Sequence, residues 1–277
     1  VSTSENRAKN FGMLGAAFGV GFIVGPLLGG LLGEYGLRLP FYVAAALTFI
    51  NFLYGYFILP ESLPIENRRK FRWQEANPIS TLKKIGTYKS IAILLFAFFL
   101  MNLGSHAVQS NWTYFTMYKF GWSEFMVGVS LAVVGVIVGV VQAMLAQKAA
   151  NKFGVGNAVI IGFGLYTVGM FLFSIAGSTW MMFAFLLPYA LGGIAMPNLQ
   201  SFMVGQVSEK EQGELQGGLT SLISLTTIIG PILMTQIFFY FTTDGAPIQF
   251  AGAPFVLGGL FMLIGFLLAI MAFRVKR

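Results

Sequence analysis

Eight apolar runs constrain this chain more than any other feature. Each is close to the roughly 20 residues that cross a bilayer as a helix. They cover 11–33, 40–59, 90–117, 125–147, 155–177, 179–204, 216–241 and 250–273. The chain is 56% hydrophobic and only 10% charged, against about 25% charged in a soluble protein. So few charges cannot cover that much apolar surface in water. The predicted fold class is therefore all-α integral membrane. Cysteine is absent and there is one histidine. That excludes a disulfide framework and most thiolate, iron–sulfur and zinc sites, so no metal and no cofactor is expected.

The charges fix an orientation. Alternating the connections from the N-terminal segment onward puts fifteen of the 17 basic residues on one side. That side holds Arg7, the 60–89 connection, Lys148, Lys152, Lys210 and the C-terminal Arg277, while only Arg38 and Lys119 fall opposite. Basic loops stay in the cytoplasm, which places both ends of the chain there. The net charge of +7 is thus explained by topology beside an anionic lipid bilayer and calls for no nucleic acid. Within 60–89, Asn77-Pro78 reads as a helix cap followed by a first-turn proline, predicting a short amphipathic helix over 78–86.

No carboxylate lies deep in any run; Glu34, Glu124, Glu214 and Asp244, for example, all fall in loops or at helix ends. Buried carboxylates in membranes normally mark ion or proton traffic, and this chain supplies none. An embedded enzyme would need paired acids, a histidine cluster or an activated nucleophile at membrane depth. None is present, so the chain reads as a non-enzyme.

Gly12, Gly25 and Pro26 recur 205 residues later as Gly217, Gly230 and Pro231. Read as a tandem duplication, six runs separate the copies, so the repeat is six helices long and the first run is the fifth helix of its unit. This predicts four further helices upstream and twelve in all. The opening Val1-Ser2-Thr3 lacks an initiator Met, in keeping with that expectation. Gly12, Gly15, Gly19, Gly25, Gly29 and Gly33 lie mostly on one side of the first run. Small residues let helices approach closely, giving either a sliding seam or static packing.

The stretch Gly21, Gly25, Pro26, Gly29 and Gly30 resembles the G-x-x-x-G-P-x-x-G-G signature of drug–proton antiporters in the major facilitator superfamily. Asn51-Phe52-Leu53 with Leu59-Pro60-Glu61-Ser62, then Gly193 to Gln200, then Gln212 to Gly217 running to Pro231, are similar in order to the tetracycline-efflux branch. The resemblance implies that fold, with the last two helices of the N-terminal half (1–59), a cytoplasmic central loop (60–89) and the whole C-terminal half (90–277). It implies export of small, partly apolar molecules, drug or antibiotic, by proton antiport through alternating access in the bacterial inner membrane. The expected partners are a small-molecule substrate, protons and the missing N-terminal helices, and the expected state is a monomer. Solute uptake by the same fold, or a truncated product that does not transport, are the alternatives. Where tetracycline pumps carry a membrane histidine and aspartate, the matching positions here are Val138 and Tyr166, which separates this chain from that subgroup's proton path.

In such folds the substrate sits near the midplane between the halves. Asn102, His106, Gln109 and Thr113 are spaced to share one helical face, flanked by Ser105 and Trp112. Asn198 and Gln200 follow a predicted kink at Pro197, and Thr220 and Ser224 share a face of the seventh run. These are the candidate cavity residues; helix–helix hydrogen bonding is the alternative use of the same groups. His106 is also the candidate proton relay, because imidazole titrates near neutral pH.

Overall fold

A computed structural model describes residues 20, 21, 24–58, 89–207 and 209–274. Among the described residues every regular element is helical. Helix α1 covers 24–35. It is followed by α2 (Leu39–Phe57), α3 (Lys89–Phe120), α4 (Glu124–Val140), α5 (Ala146–Phe153) and α6 (Val155–Ile175). Then come α7 (Thr179–Leu191), α8 (Ala195–Val204), α9 (Glu209–Thr242) and α10 (Ala253–Arg274). A π-helical turn, Val141–Leu145, links α4 to α5, and a 3-10 turn, Gly192–Ile194, links α7 to α8.

Among the described residues, seven stretches are long and apolar enough to cross a membrane. They are Leu39–Phe57, Ile91–Phe120, Glu124–Phe153, Val155–Ile175, Thr179–Val204, Leu215–Thr242 and Ala253–Phe273. Each matches a predicted run to within a few residues, apart from six at the C-terminal end of the third. The remaining run, 11–33, is described only in part, with 24–33 helical. The predicted 78–86 helix lies outside the described residues.

Local chemistry sets the breaks. Pro40 occupies the first turn of α2, where a missing N–H costs nothing. Gly121 closes α3 at φ +64°, and its N–H reaches the Met117 carbonyl at 3.0 Å. A left-handed residue is the ordinary end of a helix and favours glycine. Ser123 then caps α4, its Oγ accepting from the Met126 N–H at 3.3 Å, with Glu124 in the first turn complementing the helix dipole. Gly154, at φ +83°, turns α5 directly into α6. Pro197 has no N–H to give the Gly193 carbonyl, and the backbone tightens into the 3-10 turn at that level.

The chain divides into two compact units. The described part of the first is 20, 21, 24–58 and 122–136. Here α1 meets the start of α4 backbone to backbone. A Cβ on Gly30 would lie 2.7 Å from the Glu124 carbonyl oxygen and 3.0 Å from the Gly128 Cα. One on Gly128 would lie 2.6 Å from the Pro26 carbonyl oxygen.

The second unit, described over 89–121 and 137–274, has an aromatic centre. Trp112 of α3 packs edge-on against Phe173 of α6 at 5.3 Å, and Phe115 against Phe255 of α10 at 4.9 Å. Phe173 also approaches Tyr189 of α7 at 5.4 Å. Around it the helices touch through glycine. A Cβ on Gly104 would meet the Gly258 carbonyl oxygen at 3.0 Å, joining α3 to α10. One on Gly162 would meet the Ala195 nitrogen at 2.7 Å, joining α6 to α8, and one on Gly169 the Tyr189 Cα at 2.7 Å.

The two irregular turns meet in one place. Val141 and Ala146 pack with Ile194, flanked by Ile137, Leu145 and Leu191. Buried Asn198 donates its amide to the Ala146 carbonyl at 3.1 Å and to the Ile194 carbonyl at 2.8 Å. Removing that amide should cost roughly 0.6–1.7 kcal/mol, the usual range for an interhelical bond in a membrane. Asn198→Ala should therefore lower the thermal midpoint of the purified protein measurably. Gln147→Ala, which loses only an exposed bond to Asn151 within α5, should leave the midpoint close to the parent.

Candidate functional site

The predicted stripe on α3 is not uniform. Asn102 and Thr113 are half-buried and Gln109 is exposed, whereas His106 is only 7% exposed. Asn102 returns its amide to the Phe98 carbonyl at 2.8 Å. Ser105 donates to the Asn102 carbonyl and accepts from the Gln109 amide at 3.1 Å. This leaves the Gln109 carbonyl oxygen as an acceptor on the open face. Trp112, placed with the stripe by spacing alone, is 1% exposed and belongs to the aromatic centre. One residue shifts a side chain by about 100° around a helix, enough to move Trp112 from the Thr113 face into the core.

His106 is the member of the stripe that meets another helix. Its ring lies against Gly230 of α9, at the Gly-Pro step that echoes Gly25-Pro26. On α9, Thr220 and Ser224 are exposed, and their hydroxyls donate to the carbonyls of Gln216 at 2.9 Å and Thr220 at 3.0 Å. Thr227 does the same toward Ile223. Such hydroxyls have no donor left but keep acceptor lone pairs. The exposed face of α9 thus offers acceptors to a ligand that brings its own O–H or N–H groups.

Asn198 is buried and spent on Ala146 and Ile194, in the interhelical role that was its alternative, while Gln200 is half-buried. In the α1 motif only Gly30 lies at the α4 contact. Gly21, Gly25 and Gly29 have nothing within 4 Å of a built Cβ, and Pro26 takes part through its carbonyl. Gly33 meets the Glu124 side chain at 3.3 Å. Among the described residues the seam is therefore one glycine pair wide, Gly30 with Gly128, and the spacing of the first-run glycines alone could not single out the α4 partner.

Three further groups stand out in the structure, of which the sequence marks Tyr166 by its family position and Gln142 as a weaker cavity candidate. Tyr166 stacks edge-on with Tyr189 at 5.2 Å, and its oxygen lies 3.8 Å from a Cβ built on Gly193. Gln142, in the π turn, approaches the same glycine at 3.7 Å. Asn111, fully buried in α3, has neither amide atom hydrogen-bonded. Among the described residues no group of three or more His, Cys, Asp or Glu side chains could hold a metal ion.

Membrane-length helices, touching through bare glycine backbone and carrying sparse internally bonded polar groups, define a multi-pass membrane protein. Comparison with known proteins narrows the class. The family description "Major Facilitator Superfamily" matches residues 1–154 and 94–277, and the chain belongs to that family. It is 39% identical over 86% of its length to the tetracycline resistance protein, class C, of Escherichia coli, covering 60% of that protein. It is 37% identical over 86% of its length to the class B protein of the same organism, covering 59% of it. The chain thus spans about 60% of the length of the curated relatives it matches. The resemblance to tetracycline-efflux proteins expected from the motifs is borne out. The human organic anion transporter MFSD10 (TETRAN) shares the fold, with a TM-score of 0.69 at 22% identity over 97% of this chain and 65% of that one.

The buried Asn111 amide supplies a test of the α3 core. An unsatisfied buried amide costs about 1–3 kcal/mol, and an apolar replacement of similar shape removes that cost. Asn111→Leu should raise the thermal midpoint. A fall instead would mean that the amide is bonded in the membrane, for example to a trapped water.

Proposed function

We propose that this chain is part of a secondary active transporter that exports small, partly apolar molecules in exchange for protons. The observation that carries the reading is its 35–39% identity with several classes of tetracycline resistance protein. The name of those relatives makes a tetracycline the first substrate to try. Val138 and Tyr166 make a broader hydrophobic drug the second, because they stand where tetracycline pumps carry a histidine and an aspartate.

In this reading residues 1–59 are the last two helices of one half, 60–89 is a cytoplasmic loop and 90–277 is the other half. Both ends of the chain face the cytoplasm of a bacterial cell, as the basic loops require, and the transporter works as a monomer. Substrate is held on the faces that carry Asn102, Gln109 and Thr113 of α3 and Thr220 and Ser224 of α9, with Gln200 at the edge. Amide and hydroxyl oxygens accept its O–H and N–H groups, and the surrounding apolar side chains cover its rings. No covalent step is needed. Binding of substrate and of proton favours different members of a two-state equilibrium, and a ligand shifts such an equilibrium only by its differential affinity. His106 is the proton-binding group in this chain, because imidazole alone among its membrane-embedded side chains changes charge near neutral pH.

Cells expressing the full-length protein should accumulate less tetracycline, or less of a fluorescent lipophilic cation, than cells carrying the empty vector. A protonophore should erase the difference. Raised accumulation would mean uptake, and a difference that survives the protonophore would exclude proton coupling.

A further inference from the structure

His106 and Gly230 occupy each other's space across the α3–α9 contact. A Cβ built on Gly230 would lie 2.5 Å from His106 Cγ and 2.8 Å from its Cβ, with Cδ2 also in contact. No real side chain tolerates such distances, so position 230 leaves room for the ring only because it is glycine. Both residues are buried. The next residue, Pro231, lies inside α9 and has no N–H. The carbonyl one turn before it, that of Thr227, therefore loses its helical donor. An imidazole thus lies against bare backbone within a turn of an under-used acceptor.

Among the described residues no charged group stands at the ring, and α6, which meets α3 at Trp112, carries only Tyr166 as a titratable residue. Of the helices packed on α3, α9 carries Glu209, Lys210, Glu211 and Glu214 at its polar start, before the apolar span begins at Leu215, and Tyr240 near its far end. α10 carries only Arg274, at its terminus, and α8 carries no titratable residue. On α3 itself, Lys89, Tyr114, Tyr118 and Lys119 lie two or more turns from His106, with Tyr114 and Tyr118 exposed against Phe238. A neutral ring suits this seat. An imidazolium does not, because burying an unpaired charge is costly.

We propose that Gly230 is a positioning residue for His106, seating the imidazole so that its protonation is linked to how closely α3 and α9 approach. The inference rests on the reading of His106 as the proton site. The neutral ring lies in the glycine seat and the two helices close on it. Taking up a proton makes the seat unfavourable, the ring moves toward water, and the α3–α9 contact loosens. Any residue larger than glycine at 230 holds the ring out of the seat at every pH. The ring then titrates outside the seat, although the imidazole remains.

The test uses the full-length transporter in lipid nanodiscs with isotope-labelled histidine, the His106 signal being the one lost in His106→Gln. Gly230→Ala should move that signal and shift its titration midpoint by about one pH unit. The pH profile of proton-driven substrate exchange in proteoliposomes should shift by the same amount. If Gly230→Ala folds poorly, His106→Gly/Gly230→Ala should fold as well as His106→Gly, since the clash is with the His106 side chain from its Cβ outward. An unmoved His106 signal with an unchanged pH profile overturns the inference, as does a double variant that folds no better than Gly230→Ala. The two readings fail separately. Normal proton-coupled exchange by His106→Gln sinks the proton role and leaves the seat readable by its signal. Loss of exchange in His106→Gln, with Gly230→Ala identical to the parent, sinks the seat and leaves the proton role.

Discussion

The hydrocarbon of a bilayer offers no hydrogen bonds, and the rest of this structure follows from that. Every backbone group must be satisfied inside its own helix, and most side-chain hydroxyls here comply as well. Thr116, Thr167, Thr220, Ser221, Ser224, Thr226, Thr227, Thr235 and Thr242 all return to a carbonyl three or four residues earlier. Each helix is thereby close to self-sufficient. Hydrophobicity cannot draw such helices together, because lipid is as apolar as leucine, and association falls to close packing.

Glycine makes that packing possible. It brings α3 within reach of the α10 backbone at Gly104 and Gly258, and α6 within reach of α8 at Gly162 and Ala195. At Gly30 and Gly128 two bare backbones face each other with no side chain between them. Against this background the few polar groups that reach a second helix stand out. Asn198 ties a 3-10 turn to the end of a π turn, and His106 rests on Gly230. The first holds two irregular helices in register. The second places the one imidazole against a residue that has no side chain of its own.

The helical spans were legible from sequence because membrane length and apolarity are properties of a window, not of a contact. Most of their ends fall within a few residues of the expected ones, and the kink expected near Pro197 is the tightened turn before it, which follows from a missing N–H. What the sequence could not supply was direction. Spacing grouped Trp112 with His106 and Gln109, yet the tryptophan turns into the aromatic centre while Gln109 faces out. Spacing likewise lined up six glycines of the first run, but contact depends on which helix lies opposite, and among those described only Gly30 meets α4 through its backbone. The π turn at Val141–Leu145 has no residue that announces it. In sequence Asn198 is a candidate cavity residue and Asn111 is not, and only the fold shows the first bonded between helices and the second unpaired.

A glycine-to-alanine comparison by thermal unfolding tests most directly the claim that bare backbone holds this bundle. Gly162, Gly169 and Gly192 each have a neighbour within 2.7 Å of a built Cβ, while Gly164 and Gly193, on the same helical segments, have nothing closer than 3.4 Å. Overpacking costs about 1–3 kcal/mol, whereas relieving a helical glycine of its flexibility gains about 0.5–1 kcal/mol. Alanine at 162, 169 and 192 should lower the midpoint, and alanine at 164 and 193 should hold or raise it. Equal losses at all five positions, or none at the first three, would contradict the account.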